Sequence, residues 1–184
     1  MLYIVTALKS EAQAFVDKYI FKKIFLSGFT VYKNDTTILI VSGVGIANAT
    51  QATQTLVNYF DITDDDIYLN VGICGANEKY AIGELIEIGT LVINEKSINL
   101  PNDKVPTLTC VEEEITSHIY DIVDMESYGF YDAVIHSPAI KNYYILKVVS
   151  DHFEPEKITK EKTKLLIFNS IDAINDIIYK KAVS

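Results

Sequence analysis

Residues 2–19, LYIVTALKSEAQAFVDKY, decide how the chain is read. Leu2-Tyr3-Ile4-Val5 is a short apolar run of strand formers, as a buried strand would be. Ser10 is placed to cap a helix over Glu11–Tyr19. A strand passing directly into a helix puts the carboxylate of Glu11 at the junction between them.

Outward from that unit the alternation continues. Lys23–Tyr32 and Thr36–Val41 are β-type runs separated by Lys33-Asn34-Asp35, which reads as a hairpin turn, so the sheet is not purely parallel. Ser42-Gly43-Val44-Gly45 leads into a helix over Ile46–Phe60, with Ile46, Ala49, Thr53, Val57 and Phe60 on one face, and Asp61–Asp66 is an acidic loop. Ile67–Val71 is a strand running into Gly72-Ile73-Cys74-Gly75, which reads as a second glycine turn at a strand end. Gly83–Asn94 holds two β-type runs broken at Gly89, and Glu95–Pro106, polar with two prolines, reads as a surface loop. A strand from about Thr107 follows, and then apolar Ile119–Met125 before a helix from Glu126. Ile140–Ser150 is the last strand. After Glu154-Pro155, Ile167, Ile171, Ile174 and Ile178 share one face of a long terminal helix. The pattern predicts an α/β fold, a three-layer α/β/α arrangement with a central mixed β-sheet, as one domain over residues 1–184.

Composition excludes several classes of partner. A formal charge of -9 disfavours nucleic acid, which demands clustered cations, and all sixteen basic residues are Lys. Cys74 and Cys110 lack CxxC spacing, and His118, His136 and His152 lack metal-ligand spacing. The N-terminal stretch has neither a basic leader region nor a long apolar one, and no run reaches the length of a membrane span, so a soluble, cytoplasmic protein without a membrane partner is expected.

Sites in such folds lie at the carboxyl ends of strands. Glu11, Gly43, Gly72, Glu126 and Asp151 all fall there. Each has a purely structural alternative. Glu11 suits a helix N-terminus, Asp124-Met125-Glu126 and Ser150-Asp151 suit helix capping, the glycines suit tight connections, and Cys74 suits an apolar filler.

Taken in order, Ile4–Glu11, Ser42–Ala49, Asn70–Gly75, and Val123-Asp124-Met125-Glu126 with Val149-Ser150-Asp151 resemble the nucleoside phosphorylase and nucleosidase superfamily, especially the bacterial methylthioadenosine/S-adenosylhomocysteine nucleosidases. The most specific element is Met-Glu followed some two dozen residues later by Ser-Asp at a strand end. The resemblance implies a phosphorylase/hydrolase-like fold and cleavage of a purine N-ribosyl bond. Asp151 would carry the proton given to the departing base, and Glu11 would hold the water that attacks the sugar. Glu126 would bind the ribose hydroxyls with Met125 against the sugar. Ser42, Gly43, Ile73, Cys74, Ser150 and Lys147 complete the implied substrate-binding set. Ile73 stands where the family has a small hydroxyl residue and Lys147 where it has Arg.

Family phosphorylases place an Arg just before the strand-end glycine; Asn70 precedes Val71-Gly72 here and the chain has no Arg, which favours water as the acceptor. The chain is also several dozen residues shorter than those nucleosidases, a deficit placed between about Asn94 and Asp121, where the purine-binding stretch normally lies. A catalytically impaired nucleoside-binding homologue and a purine nucleoside phosphorylase are the alternatives. The resemblance further implies no metal or organic cofactor, a small-molecule nucleoside as ligand, and a homo-oligomer, with a dimer favoured.

Overall fold

The computed structural model describes residues 1–182. Its strands are β1 (Leu2–Thr6), β2 (Lys22–Leu26), β3 (Phe29–Lys33), β4 (Thr37–Val41), β5 (Ile67–Ala76), β6 (Leu85–Glu87), β7 (Thr90–Ile93), β8 (Lys96–Asn99), β9 (Thr107–Cys110), β10 (Ile122–Asp124) and β11 (Asn142–Asp151). Its α-helices are α1 (Lys9–Lys18), α2 (Ile46–Tyr59), α3 (Ser127–Ile135) and α4 (Lys160–Ala182), with a 3-10 turn at Pro155–Lys157.

All eleven strands join one mixed sheet, in the order β2-β3-β4-β1-β5-β10-β9-β7-β8, with β11 beside β5 and β6 beside β11. β5 is the hub. β1 and β11 run parallel to it and β10 antiparallel. Its residues and those of β1 and β11 are apolar almost without interruption, as strands covered on both faces must be. On one face Ala52 and Leu56 of α2 and Phe130 and Val134 of α3 meet the sheet. On the other, Ala12 and Phe15 of α1 and Ile167, Ile171 and Ile174 of α4 do so. The three-layer α/β/α arrangement expected from the sequence is therefore present, and the isoleucine stripe of the terminal helix lies in its core.

Four local expectations are corrected. Ser10 does not cap α1: the helix begins at Lys9, and the longer side chain of Glu11 turns back to take the N–H groups of Ala7 and Leu8. Lys23–Tyr32 is two strands, split by a tight turn at Ser27 and Gly28, whose φ of 48° and 89° suit a two-residue hairpin. Gly72-Ile73-Cys74-Gly75 is not a turn, because pairing to β11 carries β5 straight through it to Ala76. Within the polar stretch from Glu95, Lys96–Asn99 pairs with β7 as an edge strand, which explains its mostly exposed, polar side chains. Among the described residues no helix is long and apolar enough to cross a membrane.

Candidate active site

The carboxyl ends of β1, β5, β10 and β11 surround a cavity of about 520 Å³. Glu11, Glu126 and Asp151 all line it, together with Met125, Ile73, Cys74 and Ser150. Ser42, Gly43 and Lys147 are not among the lining residues. The Ser42 hydroxyl faces the carbonyls of Thr6 and Gly43 at 3.2 and 2.7 Å.

Glu11 is 2% exposed. Oε2 accepts the N–H groups of Ala7 and Leu8 at 2.9 and 2.8 Å, and Oε1 accepts that of Ile73 at 2.8 Å. A carboxylate oxygen has two lone-pair sites. Oε2 is thereby saturated, and Oε1 keeps one acceptor position free. Burial pushes the Glu11 carboxyl above its ordinary range, opposed by these N–H donors and by the field of Lys147. The helix-capping alternative is thus partly realised: Glu11 caps α1 and also ties it to β5. Gly72 makes the approach feasible, since a Cβ there would stand 3.0 Å from Glu11 Oε1 and 3.5 Å from Lys147 Nζ.

Asp124 and Glu126 divide the roles that the sequence left joined. Asp124 also lines the cavity, but its Oδ2 accepts Ser127 N–H at 3.0 Å and the Ser127 hydroxyl at 2.6 Å, so Asp124 satisfies the first N–H of α3. The same oxygen meets Lys147 Nζ at 2.7 Å. Lys147, 1% exposed, also donates to Asn70 Oδ1 at 2.7 Å. Burial alone would lower the Lys147 pKa, but Asp124, Glu126 and Glu11 carry it above the ordinary value.

Glu126 faces the cavity and accepts the Gly45 N–H at 2.9 Å. Gly45 aims that N–H from a φ of 103°, a backbone state side-chain-bearing residues rarely adopt. Burial first, and then the charge of Asp124, pushes the Glu126 carboxyl up to about 7. Between about 4.5 and about 7 the folded carboxyl holds a proton that the unfolded one has lost. Stability of the unliganded protein is therefore expected to fall as pH rises through that window, by up to about 3 kcal/mol from Glu126. Glu11, also raised, adds a slope of the same sign. Urea titrations across the window should show a shallower slope for Glu126→Gln; an unchanged slope would refute the assignment.

Asp151 ends β11. Its Oδ1 accepts Glu154 N–H at 2.9 Å, and its Oδ2 lies 2.6 Å from Ser150 Oγ, which is itself 3.0 Å from the Cys74 carbonyl. A hydroxyl has a single proton. Ser150 can therefore donate to Asp151 Oδ2 or to the Cys74 carbonyl, but not fully to both at once. Cys74 is 3% exposed, and burial pushes its thiol up, in keeping with the apolar-filler reading.

The interval where sequence length placed a deficit is not open space. Val111, Glu113, Glu114 and Ile115 line the cavity, while Pro155, Ile158, Thr159, Lys160 and Thr163 also contribute to its wall. No aromatic residue is among those lining the cavity. These contributions escaped the sequence reading because residues 111–121 form mostly irregular structure, which carries no periodic signal. His136 Nδ1 lies 2.8 Å from the Asp132 carbonyl four residues back, whereas His152 Nδ1 lies 2.9 Å from the distant Ala76 carbonyl.

No protein-family model matches the sequence, and no curated protein does either. Solved structures do match. Helicobacter pylori 5'-methylthioadenosine/S-adenosylhomocysteine nucleosidase in complex with a pyrrolidinol ligand superposes with a TM-score of 0.78 at 14% identity, over 99% of this chain and 97% of that one. Futalosine hydrolase of Helicobacter pylori gives 0.77 at 15% identity, over 99% and 96%. The nucleosidase of Neisseria meningitidis with methylthio-immucillin-A gives 0.71 at 13% identity, over 94% and 98%. The resemblance read from the four sequence blocks holds at the level of architecture: the chain has the fold of the 5'-methylthioadenosine/S-adenosylhomocysteine nucleosidases and of futalosine hydrolase.

Proposed function

We propose that this chain is a purine nucleosidase that hydrolyses the N-ribosyl bond of a 5'-modified adenosine, such as methylthioadenosine or S-adenosylhomocysteine. The observation that carries the reading is the convergence of Glu11, Glu126 and Asp151 on one cavity, each anchored by a backbone N–H. Glu126 accepts from the ribose hydroxyls, and Met125 packs on the sugar. Water donates to the free position on Glu11 Oε1 and attacks the anomeric carbon as the glycosidic bond breaks and the sugar gains oxocarbenium character. The bonding electrons leave with the base, which takes the proton of Asp151 Oδ2, while Glu11 collects the proton of the attacking water. Ser150 follows the change by turning its own proton from the Cys74 carbonyl to Asp151.

Water rather than phosphate is the acceptor in this reading. The position just before Val71-Gly72 is Asn70, whose side chain is engaged with Lys147 and with the Val5 carbonyl. Lys147 in turn is committed to Asp124, so neither residue is available to clamp an anion. Ile73 contributes its N–H to Glu11, so at this position the backbone serves the carboxylate.

Purified protein is expected to release free base from methylthioadenosine, S-adenosylhomocysteine or inosine in phosphate-free buffer, followed chromatographically. Strict dependence on phosphate would make it a phosphorylase. Tight calorimetric binding without turnover, unaffected by Glu11→Gln, would make it a non-catalytic binder, and neither binding nor release by folded protein would remove the proposal.

A further inference from the structure

We propose that Phe153 positions the carboxyl of Asp151 and, through His118, couples it to the segment 111–121, whose Val111, Glu113, Glu114 and Ile115 line the cavity. The inference rests on the nucleosidase reading for what the carboxyl does, but on geometry alone for how it is held.

Phe153 has a φ of 61° and is 2% exposed. A bulky residue in the left-handed region is rare, and such a conformation persists only where its surroundings over-determine it. Gly, Asn or Asp would meet the backbone requirement alone more easily. The aromatic ring at this position therefore points to a requirement that backbone tolerance does not satisfy.

What the reversal achieves is visible one residue later. It folds the chain so that Glu154 N–H reaches back 2.9 Å to Asp151 Oδ1. That bond occupies Oδ1, while Oδ2, beside Ser150, is the oxygen to which the nucleosidase reading assigns the transferable proton. Pairing between β11 and β5 shifts register between Val149 and Asp151, so the regular alternation of the strand does not set the direction of the Asp151 side chain.

The ring is gripped from two sides. Beneath it lies Gly75, where a Cβ would come 3.6 Å from Phe153 Cδ1 and 3.5 Å from Asp151 Oδ1, so ring and carboxyl rest on the same glycine. Against its other side His118 makes an edge contact, with centroids 5.2 Å apart at 82°. His118 belongs to a segment pinned at both ends. Val111 N–H bonds the Asp124 carbonyl at 2.8 Å, and Asp121 receives Asn77 N–H at 2.9 Å and Lys79 Nζ at 2.6 Å. Between those pins, His118 makes the ring contact that joins this segment to the turn holding Asp151.

Three variants of the full chain test this, each read by turnover and by hydrogen exchange at the Glu154 amide. Phe153→Gly relieves the backbone but removes the ring. Its kcat is expected to fall roughly 10- to 100-fold with KM little changed, since a displaced acid harms the chemical step more than binding. Its Glu154 amide should exchange roughly tenfold faster than wild type while the β5 amides keep their protection. Phe153→Leu, which retains apolar bulk, should recover most of both. His118→Ala should accelerate Glu154 exchange without unfolding the sheet, and it decides the coupling if Phe153→Gly does not fold. Wild-type exchange at Glu154 in folded Phe153→Gly or in His118→Ala would overturn the proposal, as would wild-type kcat in folded Phe153→Gly. If the wild-type protein releases no base from any nucleoside, the nucleosidase reading fails while the exchange result still decides how Asp151 is held.

Discussion

Lys147→Met is expected to destabilise the fold by about 3–5 kcal/mol, the loss typical when one partner of a buried ion pair is removed. Lys147 is the only buried lysine among the described residues, and it lies between Asp124 at 2.7 Å and Asn70 at 2.7 Å. Its removal leaves the buried Asp124 carboxyl without its counter-charge and with only Ser127 to donate to Oδ2. Asp124 Oδ1 already has no partner among the described residues, so no spare donor can compensate. Methionine is unbranched, uncharged and one atom shorter than lysine, so the loss reads mainly electrostatics rather than a cavity. Urea denaturation of wild type and variant measures it, and a difference under about 1 kcal/mol would sink the idea that this pair bears on stability. Adding Asp124→Asn removes the stranded charge and should recover a substantial part of the loss. Lys147 also opposes the burial that raises Glu126, so Glu126 should titrate still higher in the single variant.

Glu11→Gln is expected to lower kcat by roughly 10²–10⁴-fold, the range over which a positioned general base contributes. The variant is not a silent isostere. Glu11 receives three backbone N–H groups on two oxygens, and the amide NH₂ of Gln must turn toward at least one of those donors. An orphaned buried donor costs about 1–3 kcal/mol, so stability should fall together with activity. Glu11→Asp separates the effects: it keeps the base but is too short to span from Ala7 to Ile73. Base release under saturating substrate, alongside thermal unfolding, distinguishes them. Full turnover by a folded Glu11→Gln protein would leave Glu11 a structural clamp only.

Much of the fold is legible because hydrophobic periodicity is local. The Ile167, Ile171 and Ile174 stripe declares the buried face of α4, and largely apolar runs declare β1, β5 and β11. Strand-end positions then bring Glu11, Glu126 and Asp151 together, because open α/β sheets gather strand ends on one edge. What local pattern misreads depends on pairing. Gly72 and Gly75 look like a turn until β11 supplies a neighbour for the whole length of β5. Lys96–Asn99 looks like a loop because an exposed edge strand has no need of apolar residues.

The site divides in the same way. The order of the motifs and the absence of Arg are written in the chain and bear directly on which carboxylates could act and on which acceptor they would serve. That Asp124 pairs with Lys147 while Glu126 accepts from Gly45 cannot be read from Asp124-Met125-Glu126 alone. Lys147 is twenty-three positions beyond Asp124 and meets it only after β10 and β11 enter the same sheet. Phe153 gives no local hint of its left-handed backbone, because phenylalanine has no preference for that state; the ring's seat on Gly75 and His118 imposes it. Residue types and their periodicity determined the layers, the sheet and the candidate carboxylates. Tertiary packing decided which carboxylates share a cation, which oxygen stays free and what lines the cavity, because those depend on desolvation and on contacts between residues far apart in the chain.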